Sequence, residues 1–88
     1  GKIHDAYRIQ FFREHLQQMR LAITDGVQIL GYCPWAAIDV VSTHQGYRKR
    51  YGFIYVDREE FDLKELKRFR KDSFYWYANV ILENGQNL

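Results

Sequence analysis

The clearest hydrophobic pattern lies between Tyr7 and Thr24. Phe12, Leu16, Met19 and Ile23 recur at the spacing of one helical face, with Ile9 close to the same stripe. Arg13, Glu14, Gln17, Gln18 and Arg20 fill the opposite side, so the segment predicts an amphipathic helix. Asp5 precedes it as a candidate cap, and Gly26 follows its end. The next pattern is different. Val27 to Tyr32 is a short apolar run bounded by Gly26 and Pro34, which predicts a strand, with Gly31 allowing close approach of another backbone or a ligand.

Trp35 to Val41 reads as extended or irregular chain, with Ile38, Val40 and Val41 favouring β conformations. Ser42 to Arg50 is polar, contains Gly46 and predicts a loop. Phe53 to Val56 predicts a second strand ending at Asp57. A charged connection, Arg58 to Asp62, leads into Leu63 to Phe69, which reads as a helical turn or an irregular link. A last helix is expected from Phe74 to about Glu83, capped by Asp72 or Ser73 and closed by Gly85. The predicted order is helix, strand, loop, strand, helix. A long helix followed by a buried strand is half of a β/α unit, so the chain reads as starting inside such a motif.

Composition narrows the picture. At 88 residues and 47% hydrophobic, the chain has material for one modest core, and residues 1–88 read as a single segment. An aromatic share of 17% suits a packed core, but also a sugar-binding cleft or a base-stacking surface. A net charge of +2, from 13 basic and 11 acidic residues, is too balanced to argue for nucleic acid by itself. The cations do cluster, as Arg48, Lys49 and Arg50 and again as Lys64, Lys67, Arg68, Arg70 and Lys71. Cys33 is a lone thiol, which favours a reducing cytoplasm. It lacks partners for a zinc site, and His4, His15 and His44 have no metal-ligand spacing, so neither metal nor cofactor is expected. No apolar run approaches the ~20 residues that span a membrane, and no signal-peptide pattern is visible.

The stretch with most chemistry is Gly31 to Asp57. An indole at Trp35 can stack on a pyranose ring. A hydroxyl, an ammonium and a phenol from the following loop can converge on phosphate oxygens. On the residues alone, the blander reading is the favoured one: Trp35 as core and the Arg48–Arg50 cluster as a solvated turn.

Several spaced motifs resemble glycoside hydrolase family 1. Gly31, Tyr32, Trp35 and Asp39 match its Gly-Tyr-x-x-Trp-x-x-x-Asp pattern. Lys49, Arg50, Tyr51, Gly52, Tyr55, Val56 and Asp57 match its Lys-Arg-Tyr/Phe-Gly-x-x-Tyr-Val-Asp run. Asp5, Arg8, His15, Asp25 and Gly26 fit its upstream helix, and Lys71, Ser73, Trp76 and Tyr77 a downstream one. The second of two acids frequent before the first helix is Ala6 here. The resemblance implies an α/β fold: the C-terminal portion of a (β/α)₈ barrel, about its last β/α units. Such a barrel needs at least about 250 residues in full.

The resemblance also implies a substrate. Enzymes of the family acting on neutral glycosides usually carry Glu-Trp where this chain has Ser42 and Thr43. Those acting on 6-phosphorylated glycosides carry Ser there, with Lys seven and Tyr nine residues on, as Ser42, Lys49 and Tyr51 are here. A carboxylate would repel a phosphate dianion, whereas a hydroxyl and an ammonium bind it. Phosphate binding is therefore carried to Ser42, Lys49 and Tyr51, and the floor of the glycone subsite to Trp35. Thr43, where 6-phospho-β-galactosidases usually have Trp, leans towards 6-phospho-β-glucosides.

The family's retaining hydrolysis needs two Glu carboxyls about 5–5.5 Å apart. The resemblance places the acid in an Asn-Glu-Pro context and the nucleophile in a Thr-Glu-Asn-Gly context, both upstream of the helix near Tyr7. Neither is present in the sequence, so no catalytic residue is assigned and the isolated chain is expected to be inactive. Glu83-Asn84-Gly85 imitates part of the nucleophile's context but reads as a helix end. An isolated piece of barrel exposes ladder groups and apolar surface, so self-association is expected. Two other readings compete. One is a phosphate- or nucleic-acid-binding module using Arg48, Lys49 and Arg50, whose basic face Asp57, Glu59, Glu60 and Asp62 would interrupt. The other is a purely structural self-associating chain.

Overall fold

In the computed structural model, which describes residues 2–40, 46 and 49–88, the amphipathic stripe forms α1, Ala6–Thr24. Phe12 and Leu16 are buried at its centre, while Ile23 at its end is half exposed. The helix stops where Gly26 takes a positive φ of 99°. Its N–H then bonds to the Ile23 carbonyl and that of Val27 to Ala22, which satisfies carbonyls left open by the last turn.

Residues 27–32 correct the sequence reading. They form no strand, because a strand exists only against a partner and the described residues offer these none. Leu30 is fully exposed. The expected pairing begins later. Residues 36–39 run alongside the next segment through Ala36 N–H to Tyr51 O (3.0 Å), Phe53 N–H to Ala36 O (3.1 Å) and Asp39 N–H to Ile54 O (2.9 Å). That segment continues as β1, Ile54–Val56, inside the predicted strand.

A second strand, β2 (Arg68–Arg70), pairs antiparallel with β1, Tyr55 opposite Phe69. It occupies the end of a stretch read as helical turn or link. The alternation explains the miss: Arg68 and Arg70 point to solvent and Phe69 inward, so the strand looks like a charge run. Helix α2, Asp72–Leu82, closes the order helix, strand, strand, helix. Asn84 and Gly85 then take positive φ and turn the chain away.

The apolar core is small. Phe12 of α1 stacks on Phe53, and Phe53 on Tyr77 of α2, each at 5.1 Å between ring centroids. Val56 and Val80 complete it. With a radius of gyration of 15.0 Å, the chain is more extended than the about 12 Å expected for a compact domain of its length. That extension fits a piece whose outer faces belong against other structure.

Candidate functional site

Two buried polar clusters hold the pieces together, and the motif residues build them. Asp5 does not cap its own helix. Its Oδ1 accepts the Ser73 N–H at 2.9 Å and its Oδ2 the Ser73 hydroxyl, so it caps α2 from ahead of α1. Neither Asp72 nor Ser73 caps α2 as the sequence reading had it; Lys71 holds that position without a side-chain capping bond. Arg8 Nη1 donates to the same Asp5 oxygen at 2.9 Å.

Asp39 is the second centre. Its Oδ1 accepts from Gly52 N–H (3.0 Å) and Lys71 Nζ (2.7 Å). Its Oδ2 accepts from Val56 N–H and Arg50 Nη1, both at 3.3 Å. Both Asp39 and Lys71 are almost wholly buried. Burial holds the Lys71 ammonium below the ordinary lysine pKa; the Asp39 hydrogen bond opposes this, and the Arg8 charge adds to it.

Glycine is required at position 52. A Cβ there would stand 2.3 Å from the Asp39 nitrogen and from the Ile38 carbonyl carbon. This close approach, with Asp39 gripping the Gly52 N–H, docks the end of the polar loop against residues 36–39. The docked loop end and α1 enclose a cavity of about 560 Å³, within the usual range for small-molecule sites.

Trp35, Lys49 and Tyr51 all line that cavity. Trp35 is 68% exposed, so it is no part of this chain's own core and its indole is open for stacking. The Lys49 ammonium lies 5.5 Å over the Tyr51 ring. Ser42, the fourth predicted site residue, lies outside the described residues, as do Thr43, His44 and Arg48. Tyr7, Arg8, Phe11, Phe12 and Arg50 complete the lining. The sequence reading missed Tyr7 and Phe11 as cavity residues. Their signal was a pair of exposed aromatics four apart, off the buried stripe.

Among the described residues the lining is aromatic and cationic with no carboxylate, which suits an anionic, ring-shaped ligand and provides from them neither a general acid nor a carboxylate nucleophile. Glu83 sits at the C-cap of α2, away from this lining, as a helix end. Among the described residues no group of His, Cys, Asp and Glu is arranged to hold a metal ion. No helix among them is long and apolar enough to cross a membrane.

Comparison with known proteins supplies the family. Residues 1–86 match the family described as glycosyl hydrolase family 1. The chain is 52% identical over its whole length to the aryl-phospho-β-D-glucosidase BglC of Bacillus subtilis, covering 18% of that protein. It is 48% identical, again over its whole length, to the 6-phospho-β-glucosidase AscB of Escherichia coli, covering 19% of it. Among solved structures it superposes on the family 1 β-glucosidase of Thermotoga maritima with a TM-score of 0.86 and 41% identity, over 97% of this chain and 18% of that one. The chain thus spans less than a fifth of the relatives it matches, and its fold is a fragment of their (β/α)₈ barrel. On the strength of a match over nearly every residue, this chain belongs to glycosyl hydrolase family 1.

Proposed function

We propose that this chain supplies the glycone and phosphate subsite of a retaining glycosidase that hydrolyses 6-phosphorylated β-glucosides. The observation that carries the reading is the meeting of Trp35, Lys49 and Tyr51 in one cavity whose lining, among the described residues, is aromatic and cationic and free of carboxylates. Trp35 stacks on the apolar face of the glucose ring, and the Lys49 ammonium and Tyr51 hydroxyl donate to phosphate oxygens. Ser42 joins them as a further donor. The names of the relatives BglC and AscB support a phosphorylated substrate. The order of the motifs supports a place at the C-terminal end of the barrel, with both catalytic Glu residues upstream. The isolated chain is then inactive for want of those carboxylates. The lone Cys33 fits a cytoplasmic protein.

A neutral-glycoside reading draws on the likeness to a β-glucosidase structure. Hydrolysis of an aryl β-glucoside with and without a 6-phosphate, by the full reading frame, separates the two. Preference for the phosphorylated substrate, lost in Ser42→Glu and Lys49→Ala, is the expected result. Preference for the neutral glucoside would sink the phosphate assignment. A reading frame without Asn-Glu-Pro and Thr-Glu-Asn-Gly contexts upstream would sink the placement.

The nucleic-acid reading has less to stand on, because Arg50 is spent on internal bonds. In the second basic cluster Lys64 pairs with Asp57 and Lys67 with Glu65.

A further inference from the structure

We infer that Arg50 is a positioning residue for the phosphate subsite, holding the main chain between Lys49 and Tyr51 so that both side chains face the same cavity. This rests on the phosphate reading above and deepens it. The Arg50 side chain leaves the cavity wall and reaches across to the chain around β1. There Nη1 donates to the Val56 carbonyl at 2.7 Å and Nη2 to the Arg58 carbonyl at 2.7 Å. Nη1 also bonds Asp39 at 3.3 Å, and the guanidinium lies 4.4 Å over the Tyr55 ring.

The main chain is held on the other side. The Arg50 carbonyl accepts from Arg8 Nη2 on α1. The next carbonyl, of Tyr51, accepts from the Ala36 N–H, and the Gly52 N–H bonds Asp39. Three consecutive residues are thereby fixed to three different parts of the fold. Lys49, immediately before them, is exposed and carries a side chain with many rotamers. Its aim at a phosphate is set by the backbone that follows it, and Arg50 is the only side chain of that stretch that anchors it through more than one hydrogen bond among the described residues. A planar fork can bridge two carbonyls and a carboxylate at once, which an ammonium cannot do with the same geometry.

The test measures KM for an aryl β-glucoside and its 6-phosphate on the full reading frame, for wild type, Arg50→Met, Arg50→Lys and Lys49→Ala. KM does not depend on how much of a variant folds, so a general loss of stability does not imitate the effect. Arg50→Met is expected to raise the KM of the phosphorylated substrate about ten- to a hundredfold more than that of the neutral one, the size of a charged hydrogen bond misplaced. Arg50→Lys recovers only part of this. Equal rises in both KM values, or an unchanged ratio, would overturn the positioning role while Lys49→Ala still abolished the preference. A wild type with no preference for the phosphorylated substrate overturns the phosphate reading itself, and the role of Arg50 with it.

Discussion

Asp39→Asn tests the reasoning about the buried clusters most directly. Four donors converge on the two carboxylate oxygens: Gly52 N–H and Lys71 Nζ on one, Val56 N–H and Arg50 Nη1 on the other. An Asn side chain keeps the shape but offers one acceptor oxygen and an NH₂ group. With its oxygen turned to Lys71 and Gly52, the NH₂ faces the Val56 N–H and Arg50, donor against donor. Turned the other way, it faces the Lys71 ammonium. In both orientations Lys71, 2% exposed, loses its counter-charge. Removing one partner of a buried pair costs about 3–5 kcal/mol, and the surviving oxygen places Asn near the lower end, about 3 kcal/mol. The assay is equilibrium denaturation of the full reading frame, with the dependence on denaturant checked for constancy between variants. The double variant Asp39→Asn with Lys71→Met supplies the decisive comparison, since it removes the stranded charge together with its partner. It should be less destabilised than the sum of the two single changes by about 1–3 kcal/mol. A cost under about 1 kcal/mol for Asp39→Asn, or strict additivity of the pair, would refute the view that Asp39 and Lys71 act as one buried unit.

Three further outcomes follow from the geometry. Gly52→Ala forces a methyl group to within 2.3 Å of main-chain atoms, so it should destabilise by at least about 1–3 kcal/mol and weaken substrate binding together with stability; an Ala variant with the wild-type denaturation midpoint would contradict the close approach. Lys71 has its native pKa below the ordinary 10.5, so the unfolded chain binds that proton more tightly and stability from this group rises as pH climbs towards 10.5; measured against Lys71→Met, the wild type should gain ground from neutral to alkaline pH, and a gap that narrows would reverse the sign. The isolated 88-residue chain, with Leu30, Phe61 and Leu82 exposed and an apolar hollow between Pro34, Phe53, Phe74 and Ile81, should scatter light as a species larger than 10.7 kDa; a clean monomer at roughly 100 μM would oppose self-association.

What could be read from the sequence was what local physics determines. The stripe of Phe12 and Leu16 fixes α1 to within a residue of its observed start, because helical periodicity is written in consecutive positions. Phe53 to Val56 likewise contains β1. Residues 27–32 have the composition of a strand, but composition cannot supply a ladder. In β2 the error runs the other way: Arg68 and Arg70 masked a strand whose single inward residue, Phe69, is too short a pattern to register. At the site, spacing and resemblance brought out Trp35, Lys49 and Tyr51, and the cavity unites them. Asp5, assigned to the helix it precedes, serves the other one, since nothing local announces a bond to a residue 68 positions away.

That bond has a consequence for how the chain is made. During synthesis Asp5 and Arg8 leave the ribosome well before Ser73 exists, and domains form as their segments emerge. Until position 73 is available, the Asp5 carboxylate can pair with Arg8 but has no helix start to hold. The first turn of α2 gains its cap only when the two ends of the segment meet, a contact of large sequence separation that makes folding slower than its helices alone would imply. Docking of α1 and initiation of α2 thus become one late event.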